Sequence, residues 1–324
     1  MKKLIVNFLL FMILLAGMLF AAIGLAGKYA PSTLGRNIQN KRGAVGHMFT
    51  RLKEIHSYGP VDILVIGSSH AYRGFDPRVF SRQGYRLFNL GSSAQTPIQT
   101  EYLVKKYIDQ LRPRLVIFEL FPAVFCIDGV ESSIDLLSNG EVDWGAVKMS
   151  WALQNLVTWN TLVYQLFNSL FYHDPYEEPL CKNGDCYVSG GFVEKQEHYV
   201  YQNSPRPSGL TWKLRSDQIS AFRRIIAFLK TKKYPVVLVQ APITHNFYNA
   251  YENNPEVDQF LRTSGLHYFN VNLTKIGYNN TFFNDADHLN SQGVRVLNQF
   301  ILDAFSAEEL LPSIGDGTFP DSVK

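Results

Sequence analysis

Residues 62–70, Asp-Ile-Leu-Val-Ile-Gly-Ser-Ser-His, constrain this chain more than any other stretch. Ile63, Leu64, Val65 and Ile66 form a short apolar, mostly β-branched run, the pattern of a central parallel strand covered on both faces. Gly67 permits a sharp exit, so Ser68 and Ser69 are presented at the strand's C-terminal end, where open α/β sheets collect ligands and chemistry. A serine hydroxyl is a poor nucleophile until a base takes its proton, and the base must be oriented by a third group. Asn284-Asp-Ala-Asp-His-Leu-Asn290 supplies both, with His288 as base and Asp285 three residues earlier, one turn away. Taken alone, Gly-Ser-Ser after a strand reads as a turn, and Asp-x-x-His as two residues common on any protein surface. Together, one after the first strand and one before the last helix, they are far more specific.

These blocks resemble those of the SGNH (GDSL-like) hydrolase superfamily. Gly67-Ser68-Ser69 is similar to its first block, which implies Ser69 as nucleophile. Leu87-Phe-Asn-Leu-Gly-Ser-Ser93 is similar to the second, which implies Gly91 as an oxyanion donor beside the Ser69 amide. Asp285 and His288 match the last block. The third, Gly-x-Asn-Asp, has no counterpart: after Leu115-Val-Ile-Phe118 comes Glu119-Leu-Phe-Pro122. The family's oxyanion asparagine is therefore missing, as in the divergent envelope branch resembling the D-alanyl-transfer protein of teichoic acid synthesis and the alginate O-acetylation proteins. The resemblance spans Val61 to Phe305. It implies a three-layer α/β/α, flavodoxin-like parallel sheet.

The chain has 324 residues, is 46% hydrophobic and 18% charged, and has a net charge of only +3, so there is no bulk electrostatic case for nucleic acid. Leu4 to Ala26 is almost wholly apolar, long enough to cross a bilayer core of about 30 Å as a helix. A cleaved signal peptide normally has an apolar region of about 7–15 residues, so an uncleaved signal anchor is favoured. Small residues such as Ala21, Ala22 and Gly24 keep cleavage open. Lys2 and Lys3 precede the segment, while Lys28, Arg36, Lys41 and Arg42 follow it and argue for the reverse orientation. The domain is placed outside the membrane on its cysteine pattern and on analogy with envelope enzymes. The expected organisation is an anchor over 1–27 and a stalk over 28–59 with a helix near Val45 to His56. The catalytic domain follows over 60–310, interrupted by an insertion over about 123–209, and 311–324 is a flexible tail. His47 and His56 are expected at the surface.

Strands over Arg86–Leu90, Leu115–Leu120, Pro235–Val239 and His267–Val271 alternate with helical patterns over Thr96–Gln110, Ser216–Lys230, Val257–Ser264 and Gln292–Phe305. That rhythm predicts a parallel sheet with helices on both faces. It fails in the insertion. Ala146 to Phe171 is aromatic and reads as a helix pair packed on the domain; the sharper alternative is a cap, a membrane-touching surface or an acyl pocket. Cys181-Lys-Asn-Gly-Asp-Cys186 places two cysteines around an Asn-Gly turn, within disulfide reach. No second cysteine pair exists to complete a zinc site, and Cys126 is left as a buried thiol. Tyr187 to Pro207 reads as a loop, whose Lys195, His198, Tyr199, Tyr201 and Arg206 could touch a glycan.

Gln95, Glu119, Thr244 and His245 all fall at or near the catalytic edge and are candidate pocket residues; Gln95 could also replace the missing oxyanion donor. Asp287 is a rival orienter of His288, but as its sequence neighbour its side chain is expected to point elsewhere. The expected chemistry is attack of Ser69 on an ester or acyl carbonyl, followed by transfer to water or a sugar hydroxyl. No cofactor or metal is expected. The partners expected are the membrane, a cell-envelope glycan or acyl-ester substrate, and a membrane-bound acyl-transfer protein. The alternative is a degenerate relative that binds glycan or scaffolds an envelope assembly. Flavodoxin-like cofactor binding is a distant third, because Gly67-Ser68-Ser69 is no phosphate-binding fingerprint.

Overall fold

The computed structural model describes residues 1–30, 37–39, 41–172, 175–196, 201–202 and 206–314. Arg36, His198, Tyr199 and the tail beyond 314 lie outside them. The chain opens with α1 (Lys2–Tyr29), which among the described residues is the one helix long and apolar enough to cross a membrane. Then come α2 (Met48–Tyr58), β1 (Ile63–Ile66), α3 (Ser69–Gly74), α4 (Pro77–Ser81), β2 (Leu87–Asn89), α5 (Pro97–Leu111) and β3 (Leu115–Glu119). The insertion contributes α6 (Val130–Asn139), α7 (Trp144–Leu153), α8 (Leu156–Phe171), β4 (Cys181–Lys182), β5 (Asp185–Val188) and β6 (Phe192–Lys195). The α/β rhythm resumes with α9 (Ser216–Thr231), β7 (Val236–Gln240), α10 (His245–Asn249), α11 (Asn254–Arg262), β8 (His267–Asn270) and α12 (Ser291–Ala307).

The main sheet has the order β2-β1-β3-β7-β8, all parallel. Counting only its own strands, that is the 2-1-3-4-5 order of doubly wound folds, in which the chain reverses its direction of travel next to β1. Side chains alternate across each strand, so each face has its own core. Leu64, Ile66, Val116, Phe118 and Leu238 pack under α2, α5 and α9, while Ile63, Val65, Ile117, Val237 and Val239 pack under α3, α4 and α12. Helix starts are written locally. Pro97 opens α5 behind a Thr96–Gln99 capping box, and Asn290 caps α12 by accepting from the Gln292 and Gly293 amides.

Three features depart from the sequence reading. The helix expected near Val45–His56 is α2, and its Met48, Leu52 and Ile55 enter the core rather than lie along an edge. His47, expected at the surface, is fully buried with Nδ1 3.8 Å from Glu178. The stretch after Tyr187, read as a loop, instead folds into β5 and β6, which form with β4 a separate antiparallel sheet. Cys181 and Cys186 are directly opposed in it and joined by a disulfide. Gly190 and Gly191 make the next turn, both at positive φ (92° and 85°). This turn docks on the edge of the main sheet: the Asn89 amide donates to the Gly190 carbonyl at 2.8 Å, and the buried Arg51 donates twice to the Gly191 carbonyl at 3.0 and 2.9 Å. Among the described residues Cys126 is the free cysteine; it is half-buried, its thiol against the Pro122 carbonyl.

Candidate active site

The end of β1 builds the position of Ser69 from backbone constraints. Gly67 has φ +146°, and a Cβ there would stand 2.6 Å from Glu119 Oε2 and 2.8 Å from the Glu119 carbonyl, so only glycine fits. Ser68 caps α3, and its N–H and hydroxyl both donate to Glu119 Oε2, at 2.9 and 2.8 Å. Glu119 is therefore a buried prop beneath the turn, and burial pushes its carboxyl up to about 7. Ser69 becomes the first residue of α3, with its amide among the helix's unpaired N-terminal donors.

His288 arrives from the loop before α12. Its Nε2 lies 2.9 Å from Ser69 Oγ, and its Nδ1 lies 3.1 Å from both oxygens of Asp285. Asp285 is itself held: Oδ1 accepts from the backbone N–H of Asp287 at 3.0 Å and of His288 at 2.7 Å. This tight turn brings carboxylate and ring together without a full helix. Thr244 pins the same loop, its N–H and hydroxyl both donating to the Ala286 carbonyl at 3.1 and 2.8 Å.

Contrary to expectation, Asp287 does not turn away. Its Oδ1 sits 3.4 Å from His288 Nδ1. Burial opposes a charge on the ring, but the Asp285 and Asp287 carboxylates together outweigh it and raise His288 to about 9. Burial likewise opposes the Asp285 carboxylate, and its bonds to His288 overcome this, holding it below the usual range. The unprotonated ring needed to accept from Ser69 thus forms as pH rises toward about 9. The acid limb of kcat/KM on an activated ester is expected there, and Asp287→Asn is expected to move it down by about one pH unit. An unmoved limb would show that the Asp287 charge does not reach the ring.

His70 was not singled out as a site residue from sequence, although it adjoins Ser69. Its buried ring stacks on His288, with centroids 4.9 Å apart and planes 16° apart, and rests against Phe121. Burial first, and the adjacent His288 second, lower His70 to about 4, so it serves as a neutral platform. Its Nδ1 is 3.2 Å from Ser68 Oγ, which extends the Glu119–Ser68 pair to the floor of the site. The only sequence signal was a histidine directly after the nucleophile.

The remaining expected residues are placed otherwise. The Gly91 amide donates to Asn89 Oδ1 at 3.0 Å, so in this structure it is engaged and not offered to an oxyanion. The Gln95 amide donates to Thr100 at 2.9 Å. His245 pairs with Asn249 at 2.8 Å and packs on Tyr278. Gln95, Glu119, Thr244 and His245 do not line the cleft that opens beside Asp285 and His288, about 500 Å³ with its open solvent. Its opposite wall is β6, through Phe192, Val193, Glu194 and Lys195. β5, the strand paired with that wall, is tied to α3 by a bidentate pair in which Arg73 donates to Asp185 at 3.0 and 2.7 Å. Among the described residues, His70, Asp287 and His288 offer ligand-type atoms within 4.8 Å of one another. The stacked histidine rings direct their lone pairs side by side rather than to one point, a poor fit for a metal ion.

No protein-family model matches the chain, and no curated protein matches it. Among solved structures it is similar to a protein of Bacteroides fragilis NCTC 9343 to which acylhydrolase activity is ascribed, at 11% identity over 83% of this chain and 99% of that one, TM-score 0.42. It is likewise similar to a GDSL-like lipase of Bacteroides thetaiotaomicron VPI-5482, at 11% identity over 81% and 98%, TM-score 0.42.

Proposed function

We propose that this chain is a membrane-anchored SGNH-type serine esterase or O-acyltransferase acting outside the cytoplasm on an ester or acyl group of a cell-envelope glycan or lipid. The observation that carries the chemistry is the continuous line from Ser69 Oγ to His288 Nε2, and from His288 Nδ1 to Asp285. His288 takes the hydroxyl proton as Ser69 Oγ bonds to the carbonyl carbon, and Asp285 keeps the proton on Nδ1 facing it. The tetrahedral oxyanion takes the Ser69 amide as one donor, which a helix N-terminus favours. The ring then gives its proton to the departing alcohol, and water or a sugar hydroxyl releases the acyl group. The disulfide suits an oxidising compartment, and α1 suits a single-pass anchor. That placement, with the resemblance of the sequence blocks to the envelope branch, is what supports an envelope substrate and a membrane-bound acyl-transfer partner.

A fluorophosphonate probe tests the activated serine directly. Full-length protein in detergent is expected to label, and Ser69→Ala and His288→Ala to remain unlabelled while keeping the wild-type melting temperature. A folded wild type that does not label would overturn the enzyme reading in favour of a glycan-binding or scaffolding role, which the engaged Gly91 amide and the missing asparagine favour.

A further inference from the structure

Helix α8, Leu156–Phe171, contains no charged residue. It runs antiparallel to the end of α1. Tyr164 covers Gly27, and Phe167 covers Gly24; a Cβ at either glycine would overlap the ring, so small residues set this close approach. Phe167 also packs on Phe20 with centroids 5.4 Å apart, and Phe171 reaches Phe20 at 6.5 Å. Travelling toward the end of α8 is therefore travelling back into the apolar run of α1. From Ala26 back to Phe20 is about 9 Å of helix axis. If α1 crosses a bilayer, whatever stands beside Phe20 stands below the headgroups.

What stands there is the last stretch of α8. Leu166, Leu170 and Phe171 face outward, exposed by 39%, 59% and 62%. Ser169 shares that face, and its hydroxyl donates to the Leu166 carbonyl at 2.8 Å, a bond that needs no water. The side chain of Tyr172, the next residue, turns back toward the end of α1: the Tyr29 and Tyr172 hydroxyls lie 3.3 Å apart and the Lys28 ammonium sits 3.2 Å from the Tyr172 ring centre. Tyrosine and lysine of this kind mark a membrane–water boundary.

We propose that Leu166 to Phe171 is immersed in the leaflet on the domain's side, next to α1, so that the protein grips the bilayer with two elements and lies flush on it. The occupant of this face is lipid acyl chain. The depth matches the roughly 5–10 Å to which surface-lying helices sink. The inference rests on the reading of α1 as a membrane span.

Site-specific quenching tests it in the full-length protein. In a Cys126→Ser background, single cysteines at Phe171→Cys, Leu170→Cys, Met12→Cys and Asp303→Cys carry an NBD label, and each variant is reconstituted in phosphatidylcholine vesicles. Labels at 170 and 171 are expected to be quenched severalfold more by shallow spin-labelled lipid than by aqueous iodide. The label at 303, on exposed α12, should show the reverse, and the label at 12 should respond to deep spin-labelled lipid. Iodide-sensitive labels at 170 and 171 with a lipid-buried label at 12 would overturn the immersion alone. Labels at 170 and 171 shielded from both quenchers would mean protein covers the face, as in a second copy of the chain, and would also overturn it. An iodide-sensitive label at 12 would overturn the membrane span and the inference with it.

Discussion

Replacing Ser69 with alanine is expected to lower turnover of an activated ester by about 10⁴-fold or more, with little change in stability. The hydroxyl is the group that His288 Nε2 touches, at 2.9 Å. Asp285→Asn is expected to cost about as much, for a different reason. An amide nitrogen next to Nδ1 forces the other tautomer, which leaves Nε2 protonated and facing the serine. The double variant Ser69→Ala/His288→Ala should be no worse than either single one, because the pair acts as one unit. Losses that multiply, or an Asp285→Asn variant within tenfold of wild type, would show that another residue supplies the nucleophile or base. Comparing steady-state rates on p-nitrophenyl acetate decides it.

Gly191→Ala is expected to be strongly destabilising. The residue sits at φ +85°, and its new Cβ would overlap the Asn89 carbonyl. Backbone strain of about 1–3 kcal/mol adds to overpacking of about 1–3 kcal/mol. The clash is with main chain and not with the end of a side chain that could swing aside. The Gly190–Gly191 turn would lift off the sheet edge, breaking the Arg51 bonds and moving the β6 wall of the cleft. Chemical denaturation should show a loss of roughly 2–6 kcal/mol, or no folded protein. A variant of unchanged stability would mean that the turn is not seated on β2.

The middle of the main sheet was legible because β1, β3 and β7 are short, largely apolar runs bounded by helical pattern, and burial on both faces leaves little else such a run can be. Ser69, Asp285 and His288 were legible because strand end and turn are local features, and chain order then brings two edges together. What escaped depends on contacts between distant segments. His47 looked exposed because nothing nearby in sequence announces Glu178, and Asp287, a rival orienter of His288, looked turned away because residue spacing does not foresee a turn that folds its carboxylate back over its neighbour. The β5–β6 hairpin did carry a signal, in Tyr187-Val188 and Phe192-Val193 around a Gly-Gly pair, which charged and polar neighbours masked. Gly91 was assigned by resemblance, and the side chain two residues earlier takes its amide.

Ser69 and His288 are separated by 219 residues. At synthesis rates of about 5–20 residues per second, Ser69 leaves the ribosome roughly 10–40 s before His288. Through most of that interval β7 and β8 are still to come, and throughout it Ser69 lacks His288. The emerging polypeptide thus carries Ser69 without its hydrogen-bond partner for the whole of that time. Reactivity switches on with the closing of the sheet, as the last helix docks, so that competence itself reports that folding is complete.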